Sequence, residues 1–397
     1  MTAASCDVAV IGGGIHGAGV AQAVAAAGHR VVVLEQTDLA AGTSSRSSKL
    51  IHGGLRYLAT GQFGLVRECL QERELLLKLA PELVQLRAFN VPIYRHSQLS
   101  ALKLRAGLSL YALLGGLHEH ARFRQLQQRE WDDLDGLDTT ELVAVYRYFD
   151  GQTDDVALTR AVMSSAQSLG AELLLPAQLQ AAQLNNAGVV LDYTLNGAQH
   201  SLQARVVVNA SGPWCNETLA RFTPELTKLP VRLVQGTHIL VPGQLNAGIY
   251  YAPAPSDQRP VFIMPWNKAG RATMIMVGTT EHVYQGDPAH VAPRDDERKY
   301  LLAVLAQYFP IYRSSEKAQI VDAFAGLRVL PSGGDNLNKQ PRDTALHVDR
   351  DHKPRVLTIY GGKLTAYRAT AEKVATRIAS SLPTREQIAD TRQLRLM

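Results

Sequence analysis

Three consecutive glycines and a fourth three residues on, Gly12-Gly13-Gly14-Ile15-His16-Gly17, constrain this chain more than any other stretch. They satisfy the pattern G-x-G-x-x-G. The residues before them, Cys6 to Ile11, form a buried-strand run, and those after them are Ala-rich and helix-like to about Ala27, with Gly28 as a stop. Val31 to Leu34 make a second apolar strand ending at Glu35. Strand, glycine turn, helix and strand together predict a βαβ unit. Such glycines let backbone approach a pyrophosphate closely, at the positive end of the following helix. Glu35 lies 18 positions past Gly17, near the ~20 expected of an acid that accepts hydrogen bonds from ribose hydroxyls. Gly12, Gly14, Ile15, Gly17, Glu35 and the adjacent Gln36 are therefore candidate dinucleotide-binding residues. His16 sits inside the turn and reads as filler of the same site rather than a catalyst. The motif alone does not separate NAD from FAD.

A chain of 397 residues suggests two or three domains, and 46% apolar with 19% charged residues is a globular composition. The net charge of +5 suits an anionic substrate or an anionic lipid surface. No Lys/Arg block is dense enough for a nucleic-acid arm, so no nucleic-acid partner is expected. Three dispersed cysteines, Cys6, Cys69 and Cys215, predict neither a disulfide framework nor a metal site, and favour a reducing, cytoplasmic setting. No apolar run approaches the ~18 residues of a membrane span.

Further along, periodicity predicts helices over 65–87, 99–119, 156–169 and 294–309. It predicts a strand at 172–175, a meander over 188–208, strands across 231–282 and a strand at Val356–Tyr360. A Gly-Gly turn and a helix from about Leu364 close the chain. The stretch 131–150 reads as an acidic loop. Nucleotide-type signals at the start, middle and end of the chain predict an α/β fold: a Rossmann-type cofactor domain (1–80, 150–218 and 322–397) with an inserted mixed sheet-and-helix substrate domain (81–149 and 219–321).

Residues 42–58, Gly-Thr-Ser-Ser-Arg-Ser-Ser-Lys-Leu-Ile-His-Gly-Gly-Leu-Arg-Tyr-Leu, follow the second strand. Five hydroxyls, a histidine and paired glycines can wrap a diphosphate and approach a flat ring, while Leu50, Ile51, Leu55 and Leu58 fit poorly in a solvated loop. Thr43, Ser44, Ser45, Ser48, Lys49, His52, Gly53 and Gly54 are the candidate contacts here.

This segment resembles the signature of flavin-dependent glycerol-3-phosphate dehydrogenases, within the broad D-amino-acid-oxidase-like group. Five further stretches agree in order: Asn209–Trp214, Gly236–Ile239, Val261–Trp266, Gly278–Thr280 and Gly361–Arg368. The resemblance spans nearly the whole chain, although the family commonly has Arg-Pro-Leu where this chain has Arg328-Val329-Leu330 and often continues into a C-terminal helical domain. It implies FAD as cofactor, glycerol 3-phosphate as substrate, hydride transfer from C2 to flavin N5, and a quinone as electron acceptor. It also implies that main-chain groups near Leu179 hold adenine, and that Ala210, Gly212 and Trp214 approach the flavin or diphosphate.

A phosphate is best gripped by arginine forks. Arg56, Arg328 and Arg342, each in a family-like segment, are the candidates, with Tyr57 as an added donor. Alcohol oxidation also requires loss of the hydroxyl proton, and His238 is the candidate base, with His52 as runner-up. Gly362, Lys363, Leu364 and Thr365 lie in the closing turn, where Lys363 and a helix N-terminus would stabilise an anionic reduced flavin. His238, Arg328 and Lys363 are thus the catalytic set.

Leu99, Leu102, Ala106, Leu110, Leu113 and Leu117 form a helical stripe flanked by Lys103, Arg105, Arg122 and Arg124. This predicts either a core helix or peripheral attachment to the anionic inner face of the cytoplasmic membrane. A homodimer is also expected. Two competing readings are a same-fold enzyme acting on a 2-hydroxy acid or amine, and a non-catalytic flavin subunit of an electron-transfer complex.

Overall fold

A computed structural model describes residues 4–266, 273–314, 316–331 and 344–397. Its N-terminal strand, Ala4–Ile11, pairs in parallel with Val31–Leu34 on one side and with Ala198–Asn209 on the other. The apolar run Val8, Ala9, Val10 is buried on both faces, as a central parallel strand requires. Ala198–Asn209 changes partner along its length. Its first half lies antiparallel to Gly188–Leu195, and its last residues lie parallel to Val356–Tyr360. The strands Glu172–Leu174, Ala177–Asn185, Phe222–Thr223 and Ala345–Val348 complete a mixed nine-stranded sheet.

The first helix, Ile15–Ala26, is apolar all round and almost wholly buried, the pattern of a helix enclosed by protein. It lies under helices Asp155–Ser168 and Tyr367–Ile378, with Val20, Val24, Leu158, Val162 and Val374 in one core. A Cβ on Gly19 would lie 2.8 Å from the Tyr367 ring, so glycine sets how closely the first and last helices cross.

The second sheet is also mixed and has ten strands. Val231–Pro242 pairs antiparallel with Met274–Gly278, His282–Tyr284 and Asp322–Pro331. Pro260–Trp266, Ile249–Pro253, Val84–Tyr94, Leu142–Thr153 and Leu50–Ile51 continue it. Helix Asp295–Tyr308 fills one face through Leu301, Val304 and Leu305. Asp322–Pro331, grouped with the cofactor unit on sequence, hydrogen-bonds within this second sheet.

Several elements depart from expectation. The helix predicted over 65–87 spans Phe63–Leu79 and gives way to the strand Val84–Tyr94. Pro81 accounts for the break, because proline disfavours helix in the residue before it. The acidic stretch 131–150 contains the start of a long buried strand, Leu142–Thr153. The apolar helix is Ala101–Leu114, capped by Ser100. Its inner face, Leu104, Leu108 and Tyr111, packs on the second sheet, while Leu102, Leu113 and Leu117 are 77%, 60% and 63% exposed. The closing helix starts at Tyr367, three residues later than expected. Among the described residues no helix is long and apolar enough to cross a membrane.

Candidate active site

The two sheets meet around a cavity of about 670 Å³, within the size range of cofactor and substrate pockets. One end is made largely of backbone. Gly12 has φ +108°, and a Cβ there would lie 2.7 Å from the Ala210 carbonyl. A Cβ on Gly17 would lie 1.9 Å from the Gly12 carbonyl, so only glycine lets the first helix begin directly on the turn. The Ser44 hydroxyl accepts from the Ile15 amide at 2.9 Å and occupies the helix N-terminus. Glu35 is buried, and its carboxylate accepts from the Gly13 and Thr37 amides at 2.7 and 2.8 Å. These bonds fix the carboxylate at the cavity wall with lone pairs to spare for ribose hydroxyls. Gln36, Leu179, Ala210, Gly212 and Trp214 line the same region.

The loop expected to wrap the cofactor divides into wall and backing. Thr43, Ser44, Ser48, His52 and Gly54 face the cavity, as do Gly12, Gly14, Ile15 and His16. Gly17, Ser45, Lys49 and Gly53 lie behind it. Gly17 makes room for the turn, and Ser45 donates to the Gly42 carbonyl. Lys49 is buried against Asp155 at 2.6 Å. The Gly53 amide donates to Tyr111 Oη at 2.8 Å, and that hydroxyl donates to Asp150, the partner of fully buried Arg73.

Side chains dominate the other end. His238 sits mid-strand, 2% exposed, with Nε2 3.0 Å from Ser48 Oγ and its ring stacked on Phe324. Burial, then the charges of Lys49 and Arg328, push its pKa down to about 3, so the imidazole is neutral. His52 is likewise held down to about 3, by burial and then by Lys363, Arg56 and Arg73. Arg56 and Arg328 both donate to one oxygen of Glu281, Arg56 at 3.2 Å and Arg328 more closely. Tyr57 lies under Lys363, whose ammonium is 3.8 Å from the ring centroid. Gly362, Leu364 and Thr365 close the wall, with Thr365 Oγ1 accepting from the His52 amide at 3.0 Å. Arg342 lies outside the described residues.

Sequence reasoning missed Glu281, a buried carboxylate directly after the Gly278-Thr279-Thr280 stretch it had singled out. Burial alone would raise the Glu281 pKa, but Arg328, Arg56 and Arg259 hold it below the usual carboxylate range. Also missed was Glu297, 1% exposed on helix Asp295–Tyr308. It accepts from Gln235 Nε2 at 2.6 Å, from Thr237 Oγ1 at 2.7 Å and from the Thr280 hydroxyl. It thereby ties the residue before His238 to the residue before Glu281. The acidic first turn of that helix was the available signal. Tyr251 and Arg46 also line the cavity.

The residues present fit an extended dinucleotide. The turn excludes any Cβ at Gly12 and Gly17, a carboxylate waits where ribose is expected, and His16 Nδ1 is buried at the wall without a hydrogen-bond partner among the described residues.

Comparison with known proteins agrees with this geometry. Residues 7–368 match the family described as FAD dependent oxidoreductase. The chain is 38% identical to a glycerol-3-phosphate dehydrogenase of Pseudomonas aeruginosa over 375 residues, covering 94% of this chain and 71% of that one. It is 35% identical to a D-erythritol 1-phosphate dehydrogenase of Brucella abortus over 384 residues, covering 96% and 74%. The crystal structure of a Bacillus halodurans glycerol-3-phosphate dehydrogenase complexed with FAD superposes with a TM-score of 0.73 at 25% identity, covering 99% of this chain and 68% of that one.

Proposed function

This chain belongs to the FAD dependent oxidoreductase family, and from that premise we propose that it oxidises sn-glycerol 3-phosphate to dihydroxyacetone phosphate and passes the electrons to a quinone. The carrying observation is the pair Arg56 and Arg328, gathered on Glu281 and opening on the same cavity as His238 and Lys363. Bound FAD supplies the acceptor for the substrate hydride; the protein's own residues hold, orient and deprotonate.

Gly12, Gly14, Ser44, Glu35 and Gly362 hold the cofactor. Arg56 and Arg328 bind the phosphate by charge-assisted hydrogen bonds, which place the rest of a small substrate. His238 accepts the hydroxyl proton. Its depressed pKa keeps it in the accepting form, and a phosphate dianion beside Arg328 offsets part of the positive field that disfavours the imidazolium. The same arginines argue against a 2-hydroxy acid, which needs one fork rather than two. A four-carbon phosphorylated polyol is the second reading, favoured by the erythritol-phosphate relative. Anaerobic mixing with glycerol 3-phosphate should bleach the flavin. Bleaching only by erythritol phosphate would establish the second reading, and no bleaching by either would leave the chain as a flavin carrier.

The outward leucines of Ala101–Leu114 support attachment to the inner face of the cytoplasmic membrane, with Lys103 and Arg105 beside them. Because Leu102 and Leu113 are exposed, replacing both with serine should leave the melting temperature nearly unchanged. It should cut co-sedimentation with anionic vesicles about tenfold or more, at ~1.5–3 kcal/mol per fully buried leucine. A variant that sediments like the wild type would dismiss this placement.

A further inference from the structure

Glu281 is a carboxylate in a site where an anion is expected to bind. It is either a placeholder that a substrate phosphate displaces or a fixed part of the grip. Three observations decide between these. Its side chain is 2% exposed, whereas those of Arg56 and Arg328 are 30% and 28% exposed, so the arginines face the cavity and the carboxylate stands behind them. Its backbone is pinned: the Glu281 carbonyl accepts from Arg259 Nη1 at 2.9 Å, and the preceding Thr280 hydroxyl donates to Glu297 and accepts from the Thr237 amide at 2.9 Å. The two arginines also donate to the same carboxylate oxygen, which brings both guanidinium groups to one point.

We propose that Glu281 is a positioning residue that holds Arg56 and Arg328 together as one oxyanion-binding site. Two guanidinium groups brought to one point repel each other, and a buried anion between them removes that repulsion. The inference rests on the proposed phosphorylated substrate but needs only that a phosphate binds here.

The test uses the FAD-loaded enzyme, with inorganic phosphate as the probe in calorimetry and glycerol 3-phosphate in steady-state assays. In Glu281→Gln, phosphate affinity should fall at least tenfold and KM for glycerol 3-phosphate should rise by a similar factor, while kcat stays within threefold of wild type. Glu281→Asp, which keeps the charge but shortens the reach, should fall between. A purely structural role would lower the fraction of active enzyme and kcat together without this split. Tighter phosphate binding in Glu281→Gln would show that the carboxylate competes with the ligand, and unchanged binding would show that it is idle; either overturns the proposal. Should Glu281→Gln fail to retain FAD, Glu281→Asp decides alone: a threefold or greater weakening supports the proposal, and wild-type affinity overturns it. A wild-type enzyme that binds phosphate but does not oxidise glycerol 3-phosphate removes the substrate reading and leaves this one standing.

Discussion

The two ends of the cavity are built by different means. At the nucleotide end, backbone and absent side chains form the walls: Gly12 and Gly17 have no space for a Cβ, and Glu35 is fixed by two amides. At the end proposed to take the substrate, charged and ring-bearing side chains converge from Arg56, His238, Glu281, Arg328 and Lys363. The first design is all-or-none, because a backbone either fits or shifts. The second is graded, because each charge contributes separately and its neighbours can compensate.

The largest effect should therefore come from the smallest substitution. Gly17→Ala places a methyl 1.9 Å from the Gly12 carbonyl, which cannot yield without moving the turn. It should abolish FAD retention, read as flavin absorbance per mole of purified protein. Gly64→Ala, on the first turn of helix Phe63–Leu79 with nothing within 4 Å, should retain it fully. Equal flavin content in the two variants would break the contrast.

At the substrate end, Arg328→Ala and Arg56→Ala should each lower kcat/KM for glycerol 3-phosphate by roughly 10–150-fold, at about 1.5–3 kcal/mol for a hydrogen bond to a charged group. Glycerol, which has no phosphate, should lose far less. Equal losses on both substrates would mean that the arginines support the fold and do not read phosphate.

An effect on stability alone, with no change of chemistry, is shared by both ends. His16, His52 and His238 have pKa values lowered by burial to about 4, 3 and 3. Between the unfolded value near 6.5 and these folded values, the unfolded chain binds more protons than the native protein. Stability therefore rises with pH in that window and is lost as pH falls, by about 1.4 kcal/mol per unit for each histidine. The melting temperature should drop from pH 6.5 toward pH 4, and less steeply in His16→Asn. A flat profile would show that these rings are solvated.

The same contrast decides what sequence could reveal. The nucleotide end was legible because its residues are local: Gly12 to Glu35 is one βαβ unit, and its strand at Val31–Leu34 fell where the apolar run placed it. Arg56, His238, Arg328 and Lys363 were found only through resemblance to known stretches, and the structure places all four at one cavity. Glu281 escaped notice because its meaning depends on partners 225 and 47 residues away. Lys49 was legible as a cation in the right loop, but not as one consumed by Asp155, 106 residues on. The strand Leu142–Thr153 was hidden by the acidic residues before it and by Arg147 and Asp150 within it. Asp150 is tolerated in the interior because Arg73 and Tyr111 satisfy it, which no local pattern records.

The change of partners along Ala198–Asn209 also bears on how the chain is made. Its last residues wait for Val356–Tyr360, and the wall from Gly362 to Thr365 comes directly after that strand. During synthesis the glycine turn emerges well before that wall, and the chamber it serves stays open on one side until some 350 further residues have been added. Contacts this distant in sequence form late. The nascent chain therefore carries an unfinished, partly apolar cleft while those residues are added, and cofactor capture waits for the closing wall.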